Sequence, residues 1–235
     1  MGNKLAEYFS VRGIALPVAA VPVFDRYYEL LISANEKINL TGITELQEVF
    51  IKHFFDSLEL LAWRKKLTGL LLDVGSGAGF PGLPLKIVCP EISLTLLDSS
   101  LKRVAFLQEV ARELGLRQVT ALHGRAEDFG RNQAYRERFP LVVSRAVARL
   151  SVLCELCLPF VEPGGYFVAY KGPDGDAELA AAEAALIELG GREEPAWRYA
   201  LPLNMGQRQL ILIKKERTTP AKYPRKAGIP EKRPL

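Results

Sequence analysis

The sequence lacks the features that would place it in a membrane or among disulfide-rich secreted proteins. No stretch of its 235 residues approaches the roughly 18 consecutive apolar positions of a membrane span. The first residues, in which Lys4 is followed by Glu7 and Arg12, have neither the apolar core nor the cleavage site of a signal peptide. The three cysteines are too few for a disulfide framework. We therefore expect a cytoplasmic protein that contacts no membrane.

The composition is that of an ordinary globular protein. Hydrophobic residues make up 49% of the chain and charged residues 25%, which argues against disorder, collagen-like repeats and a long coiled coil. The length suits one domain of usual size, or a large domain with a small appendage. Such a chain buries a core without help from disulfides or metals.

Charge is distributed unevenly along the chain. The formal net charge is +4, but eight of the 31 basic residues and only two of the 27 acidic residues lie from Lys214 onward. That end of the chain therefore carries +6 and the residues before it carry −2. This distribution predicts a basic C-terminal arm on a nearly neutral domain. Basic segments of this kind can bind nucleic acid through its phosphates.

Residues 1–66 have the pattern of helices. Apolar side chains recur at helical spacing in a first run, which comprises Val23, Phe24, Tyr27, Leu30 and Leu31. The segment from Thr44 to Gln47 has the spacing of a capping box and predicts the start of a second helix. His53 lies on the apolar face of that helix, where it is either a buried, hydrogen-bonded histidine or a catalytic group.

From Gly69 onward, short apolar runs alternate with helical stretches. Strands are predicted at residues 70–74, 94–97, 119–122, 141–143, 166–170 and 210–214. Helices are predicted after residues 81–84 and at 102–114, 150–159 and 177–189. This alternation predicts an α/β fold with a mostly parallel sheet and helices on both faces. Residues 219–235, rich in proline, lysine and arginine, show neither period and predict an irregular arm.

The strongest chemical signal is a glycine loop that follows the first predicted strand. Asp73, Gly75, Gly77 and Gly79 form an Asp-x-Gly-x-Gly-x-Gly pattern that ends at Phe80. Glycine lets the backbone turn sharply and lets a ligand approach without a Cβ in the way. The dinucleotide fingerprint would place its third glycine one position later. The pattern instead resembles motif I of class I S-adenosylmethionine-dependent methyltransferases, a tight turn without a ligand being the alternative.

Two further turns follow the next two predicted strands. Asp98 comes 23 residues after Gly75 and is placed to accept hydrogen bonds from ribose hydroxyls, with capping of the following helix as its alternative role. Residues 124–128, which include Ala126 and Glu127, resemble the adenine-binding turn of the same methyltransferases. Because open α/β sheets bind ligands beyond the carboxyl ends of their strands, the three turns predict one cofactor site.

Missing motifs narrow the methyl acceptor. Ser144, Arg145 and Ala146 follow the fourth predicted strand, in place of the Asn/Asp-Pro-Pro-aromatic turn used on exocyclic amines. No cysteine lies there to attack a pyrimidine ring, and no base is evident to deprotonate a hydroxyl. The site suits an acceptor with a free lone pair, such as a purine ring nitrogen, held by proximity and orientation. Arg145 would orient a base or a phosphate, with a surface ion pair as its alternative role.

Cys154 and Cys157 have Cys-x-x-Cys spacing without the context of a metal or redox site. No second cysteine pair or histidine cluster completes a zinc site. The pair lies late in a predicted apolar helix, whereas a redox pair would open a helix after a strand. We expect both thiols to pack in the core and no metal to bind.

Together these motifs resemble one bacterial family, the glucose-inhibited division protein B or RsmG-type small-subunit ribosomal RNA methyltransferases. The resemblance runs from residue 39 to the C-terminus and rests on Asn39-Leu40-Thr41, Lys52-His53-Phe54, Asp56-Ser57-Leu58, residues 73–87, Leu97-Asp98-Ser99, Lys102-Arg103, Gly124-Arg125-Ala126-Glu127, Ser144-Arg145-Ala146, Lys171-Gly172 and Lys222-Tyr223-Pro224-Arg225-Lys226-Ala227-Gly228. It implies a Rossmann-like class I methyltransferase fold with a seven-stranded sheet. It also implies methyl transfer from S-adenosylmethionine to N7 of a guanine in 16S ribosomal RNA, in agreement with the acceptor inferred above.

The glycine loop and the resemblance together suggest roles for individual residues. The expected cofactor-binding residues are Asp73, Gly75, Gly77, Gly79, Phe80, Asp98, Ala126, Glu127 and Arg145. The expected RNA-binding residues are Arg125, Lys171, Arg208, Lys222, Arg225 and Lys226. Candidates for orienting the substrate are Arg145, Lys171, Arg208 and His53. Packing of helices over the sheet would explain His53 and Asn39 equally well.

The expected organisation has three parts: an N-terminal helical cap at 1–66, an S-adenosylmethionine-binding methyltransferase domain at 67–215 and a basic arm at 216–235. The partner would be 16S ribosomal RNA or the small ribosomal subunit, and the protein would be a monomer. Two alternatives stay open. One is a small-molecule or protein methyltransferase, and the other is a non-catalytic nucleic-acid-binding module on the same fold.

Overall fold

The computed structural model describes residues 16–145 and 147–235, and its centre is one seven-stranded sheet. The strands are β1 (Gly69–Val74), β2 (Ile92–Asp98), β3 (Val119–His123), β4 (Phe139–Arg145), β5 (Val161–Lys171), β6 (Gly191–Ala200) and β7 (Gln207–Lys215). Their order is β3-β2-β1-β4-β5-β7-β6. The first five strands are parallel, and β7 pairs antiparallel with both β5 and β6. The predicted α/β fold with a mostly parallel sheet is confirmed.

Helices cover both faces of the sheet. They are α1 (Ala20–Ile38), α2 (46–63, with a π-helical stretch at Phe50–Phe55), α3 (Gly82–Val88), α4 (Leu101–Glu113), α5 (Ala126–Phe129), α6 (Leu150–Cys157), α7 (Gly175–Ala181), α8 (Glu183–Leu189) and α9 (Ile229–Lys232). Successive residues of a strand point to opposite faces, so Leu71 joins the core under α1 to α4 while Leu72 joins the core under α6 and α8. Each face therefore has its own apolar core.

The strand β6 was not located from the sequence, although seven strands were expected. Its residues Arg192, Glu193 and Glu194 are charged, and Pro195 follows them. A proline and several charges are typical of an edge strand, where one side of the backbone faces solvent. Among residues 16–145 and 147–235, β6 pairs only with β7, and it shows a register shift between Glu194 and Trp197. Because β6 lies at the edge of the sheet, its sequence lacks the alternation of apolar and polar residues by which a strand is predicted.

Three local predictions are wrong in detail. The capping residue of α2 is Glu45 and not Thr44, because the Glu45 carboxylate accepts the Glu48 N–H at 2.9 Å. The helix predicted at 177–189 is two helices that meet at Ala182. Arg145 is the last residue of β4 and does not follow the strand.

The helices α1 and α2 are fixed to the glycine loop by an aromatic cluster. The Tyr27 ring lies 5.3 Å from the Phe54 ring and 5.5 Å from the Phe80 ring, centroid to centroid. The Tyr27 hydroxyl donates to the Ala78 carbonyl at 2.5 Å. Tyr27 and Phe54 are completely buried. The loop after β1 is therefore held from the side of the helical cap.

The C-terminal segment (residues 216–235) is docked on the domain. The Arg136 guanidinium donates to the carbonyls of Thr219 and Tyr223 at 2.6 and 2.8 Å, and the Tyr223 side chain is buried. The short helix α9 forms within the segment. The expectation of an entirely irregular arm is wrong, because the domain supplies partners for this backbone. The three predicted domain boundaries stay predictions, and residues 1–15 of the cap lie outside the described residues.

No helix of residues 16–145 and 147–235 is long and apolar enough to span a membrane. Nor do these residues contain a group of three His, Cys, Asp or Glu side chains arranged to hold a metal.

Tyr27→Phe should lower the free energy of unfolding by about 1–3 kcal/mol, because the buried Ala78 carbonyl loses its hydrogen-bond donor. Tyr28→Phe is the matched control, since the Tyr28 hydroxyl donates to the Thr44 carbonyl in an exposed position. The control should change stability by less than about 0.5 kcal/mol. Urea unfolding measures both variants, and equal losses would contradict the fixing role of Tyr27.

Candidate functional site

A cavity of about 440 Å³ opens at the carboxyl ends of the parallel strands. This volume lies within the usual range of small-molecule sites, roughly 300–1,000 Å³. The sheet order places β2 and β4 on opposite sides of β1, so the cavity lies at the topological switch point where open α/β sheets bind ligands. Its walls include Gly75–Ala78, Phe80, Asp98, residues 124–127 and Arg145.

The loop after β1 needs glycine for two reasons at Gly75. Its φ is +72°, a conformation that other residues adopt at a cost. A Cβ there would also lie 2.4 Å from Cγ2 of Val147, which borders the same cavity. The Gly75 N–H donates to the Leu97 carbonyl at 2.8 Å, so the loop is tied to the end of β2.

Asp98 closes β2 and faces the cavity. Its carboxylate accepts the Gly77 N–H and the Ser100 N–H, each at 2.8 Å, and the Arg103 guanidinium lies 3.8 Å away. The capping residue of α4 is Ser100, so Asp98 does not itself cap that helix. Each carboxylate oxygen keeps acceptor capacity beyond one N–H. Asp98 as a ribose partner stays a prediction that this geometry permits.

Asp73 supports the loop from beneath. Its Oδ2 accepts the Gly82 N–H at 2.9 Å, while Oδ1 is buried without a hydrogen-bond partner in the part of the chain that the structure describes. Burial raises the pKa of Asp73 to about 7. The residue thus joins the end of β1 to the start of α3. Asp73 is not among the described residues that border the cavity. Its predicted contact with a cofactor is untested.

Arg145 connects β4 to α2. Its guanidinium donates to the Asp56 carboxylate at 3.0 Å, to the Lys52 carbonyl at 3.1 Å and to Nδ1 of His53 at 3.2 Å. It also lies over the Phe80 ring, 5.0 Å from the centroid. The ion pair proposed as an alternative for Arg145 exists, but it is largely buried and not on the surface, since the side chain is only 13% exposed.

His53 lies between Phe80 and Thr41. Its ring stacks on Phe80 with centroids 4.5 Å apart, and Nε2 is 2.8 Å from the Thr41 hydroxyl oxygen. Burial, and then the charge of Arg145, lowers the pKa of His53 to about 3. The ring is therefore neutral at pH 7. Nδ1 lies 3.2 Å from both the Arg145 guanidinium, which can only donate, and the Lys52 carbonyl oxygen, which can only accept, so these two contacts favour opposite tautomers of the ring.

Thr41 borders the cavity beside His53. Its hydroxyl oxygen lies 2.8 Å from Nε2 of His53 and accepts the Ile43 N–H at 3.0 Å. The contacts from Arg145 through His53 thus hold the Thr41 hydroxyl at this end of the site.

Several of the predicted basic residues are engaged within the protein. The Lys171 ammonium is buried between the Glu178 carboxylate at 2.6 Å and the Ala148 carbonyl at 2.7 Å. Lys222 pairs with Glu188 at 2.7 Å. The Lys171 pair is buried and gives that residue a structural role, whereas the Lys222 pair is exposed on the surface, and RNA contacts by both lysines stay predictions.

Arg125, Arg208 and Lys226 have more open surroundings. Arg125 is exposed and borders the cavity. Arg208 donates to the Gln207 carbonyl at 2.8 Å near the start of β7. Lys226 is exposed. The structure brings only Arg125 of these three to the cavity.

The cysteines of the Cys-x-x-Cys pair lie in the core. Cys154 and Cys157 are completely buried on α6, and burial raises the pKa of both thiols. They pack under the sheet, as the sequence suggested.

The cavity wall also contains residues that the sequence did not single out, among them Val152 and Leu156 of α6. Thr41 and Arg103 belong to segments of the family resemblance, so a signal existed for them. Val147 follows β4. Pro230 and Glu231 come from α9 near the C-terminus, where no local pattern indicated a site.

A family model described as GidB, rRNA small subunit methyltransferase G, matches residues 21–198. Proteins named ribosomal RNA small subunit methyltransferase G are similar to nearly the whole chain. The one from Lactobacillus johnsonii is 51% identical and the alignment covers 99% of this chain and 97% of that protein. The one from Brevibacillus brevis is 47% identical over 99% and 98%. The one from Carboxydothermus hydrogenoformans is 47% identical over the full length of both.

Solved structures share the fold at low identity. The YcgJ protein from Bacillus subtilis superposes with a TM-score of 0.52 at 14% identity, covering 70% of this chain and all of that chain. TYW2 from P. horikoshii, solved in complex with MeSAdo, gives 0.53 at 14% identity, covering 68% and 61%. At this identity the likeness shows the fold alone.

Asp73→Asn should remove a pH dependence of stability. The raised pKa of Asp73 means that the folded protein holds a proton the unfolded chain has released, so stability falls as pH rises from about 4 to about 7. The stability of the wild type relative to the variant should fall by up to about 1.4 kcal/mol per pH unit in this window. Urea unfolding at four pH values measures it.

His53 titrates in both the wild type and the Asp73→Asn variant, so its contribution cancels in the difference between their free energies of unfolding. Asp128→Asn is the control, because Asp128 is exposed on α5. A stability difference for Asp73→Asn that is constant from pH 4 to pH 7 would contradict the raised pKa.

Proposed function

Since the chain belongs to the GidB family, the small-subunit ribosomal RNA methyltransferases G, we propose that it transfers a methyl group from S-adenosylmethionine to N7 of a guanine in 16S ribosomal RNA. The family match over residues 21–198, extended to nearly the whole chain by relatives 47–51% identical, carries this proposal. The cavity at the switch point of the sheet supports it from the structure. The partner would be the RNA or the small subunit, met in the cytoplasm by a monomer.

The cavity fits S-adenosylmethionine. When bound, the cofactor supplies an electrophilic methyl group on a sulfonium. The backbone of Gly75 and Gly77 lines the cavity without side chains, which allows close approach of a ligand. Asp98 offers carboxylate oxygens to hydroxyl donors, and the turn at 124–127 brings Ala126 and Glu127 to the same cavity. We propose these residues, with Gly79, Phe80 and Arg145, as the cofactor-binding set.

The chemistry around His53 favours an acceptor that does not lose a proton. Its Nδ1 faces the Arg145 guanidinium and the Lys52 carbonyl, and its Nε2 faces Thr41, so neither nitrogen is open to take a proton from a substrate. Its pKa of about 3 makes it a weak base. N7 of guanine carries a free lone pair and needs no base. Positioning by the protein then supplies much of the rate.

A donor near the acceptor atom would fit guanine. N7 and O6 are neighbouring acceptors on the same edge of that base. The Thr41 hydroxyl, which contacts His53, would donate to O6 and thereby place N7 at the transfer position. Arg125 at the cavity rim would contact RNA phosphates, and Lys226 and Arg208 would add positive charge nearby.

The test is transfer of labelled methyl from S-adenosylmethionine to free 16S ribosomal RNA, small subunits and ribosomes taken from cells that lack this activity. We expect labelled 7-methylguanosine on at least one of these substrates after nucleoside analysis. Gly75→Ala should weaken cofactor binding at least about tenfold, or 1.4 kcal/mol, because its Cβ would meet Val147 and its φ is positive.

Gly172→Ala is the matched control for that variant. Gly172 has nothing within 4 Å of an added Cβ and lies outside the cavity wall, so cofactor affinity and methyl transfer should be retained. Absence of 7-methylguanosine from all three substrates would contradict the proposed function. Label found in a protein or a small molecule would point to another class of methyltransferase.

A further inference from the structure

Resting on the proposed function, we propose that the C-terminal segment is a wall of the cofactor site, which sets cofactor affinity through Pro230 and Glu231. Both residues border the same cavity as the glycine loop and the turn at 124–127. They come from α9, about 100 residues after that turn in the sequence. The basic arm expected from the charge distribution therefore has a second and more local role.

The segment is anchored at its beginning by two arginines of the loop after α5. Arg131 donates to the carbonyls of Pro224 and Lys222 at 2.7 and 3.2 Å. Arg136 donates to the carbonyls of Thr219 and Tyr223. Hydrogen bonds from charged donors to carbonyl groups are stronger than those from neutral donors. The backbone from 219 to 224 is therefore held in a defined path.

A buried ion pair fixes the middle of the segment. The Arg225 guanidinium and backbone N–H both donate to the Glu155 carboxylate, with Nε at 2.9 Å and N at 2.7 Å from Oε1. The Glu155 side chain on α6 is only 1% exposed. A carboxylate buried to this degree needs its partner, so the pair holds Arg225 against α6.

The last anchor lies at the cavity itself. The Gly228 N–H donates to Oε1 of Glu127 at 2.9 Å, and Glu127 is buried in the cavity wall. Gly228 has φ +79°, which turns the chain so that α9 follows directly. Pro230 is buried although its neighbours Ile229 and Glu231 are exposed. It is the residue of α9 that turns toward the protein.

Pro230 completes an apolar slot. Ala126 of α5 and Val152 and Leu156 of α6 border the cavity together with Pro230, and α9 packs on α6. Thr41, His53 and Arg145 make another part of the cavity wall polar. A flat aromatic base suits the apolar slot, so the segment would contact the nucleoside part of the cofactor and not its amino-acid part.

The test compares three variants by calorimetric titration with S-adenosylmethionine and with 5′-methylthioadenosine, which lacks the amino-acid part. Deletion of 229–235 leaves every anchor in place, and Pro230→Ala changes only the slot. We expect the deletion to raise both dissociation constants at least tenfold and Pro230→Ala to raise them about threefold. Lys232→Ala, exposed on α9 and outside the cavity wall, should leave both unchanged.

Thermal unfolding shows whether each variant is folded. If the deletion variant does not fold, Pro230→Ala alone tests the proposal. The affinity for small ribosomal subunits should change less than twofold in both the deletion variant and Pro230→Ala. Unchanged cofactor affinity with weakened subunit binding would overturn the proposal and return the segment to a role as an RNA arm. Failure of the proposed function would look different, because cofactor affinity would still depend on Pro230 while no 7-methylguanosine formed.

Discussion

The ion pair between Arg145 and Asp56 is the interaction on which the rest of the site depends. It joins the last residue of β4 to α2, with side chains 13% and 5% exposed. The same carboxylate accepts the Tyr199 hydroxyl from β6 at 2.8 Å. Removal of two charges from water is costly, and such a pair is favourable only when further hydrogen bonds satisfy both groups. Here the Lys52 carbonyl and Tyr199 supply them.

The properties of the cavity follow from this fixed guanidinium. It covers Phe80, which stacks on His53, and its charge adds to the burial that keeps His53 neutral. The neutral ring contacts the Thr41 hydroxyl oxygen at 2.8 Å. A site built in this way can position an acceptor, which is what methylation of a ring nitrogen needs.

The sequence predicted features whose residues are contiguous in the chain and missed features that depend on contacts between distant residues. The glycine loop and Asp98 could be found because a parallel strand, its turn and the next helix are contiguous in the chain. The role of Arg145 could not be found, since its partner Asp56 lies 89 residues away. The same holds for Pro230, brought to the cavity by anchors on α5 and α6. The charge distribution along the sequence could not show that Arg225 pairs with Glu155, because only the fold brings these two residues together.

A double-mutant cycle on unfolding free energy, with Arg145→Gln, Asp56→Asn and the double variant, tests the central claim most directly. Each single change leaves a buried charge without its partner and should cost about 3–5 kcal/mol. The double variant should lose about as much as either single variant, so that the coupling energy is at least about 2 kcal/mol. Losses that add to within about 0.5 kcal/mol would show that the pair does not hold the cap to the sheet.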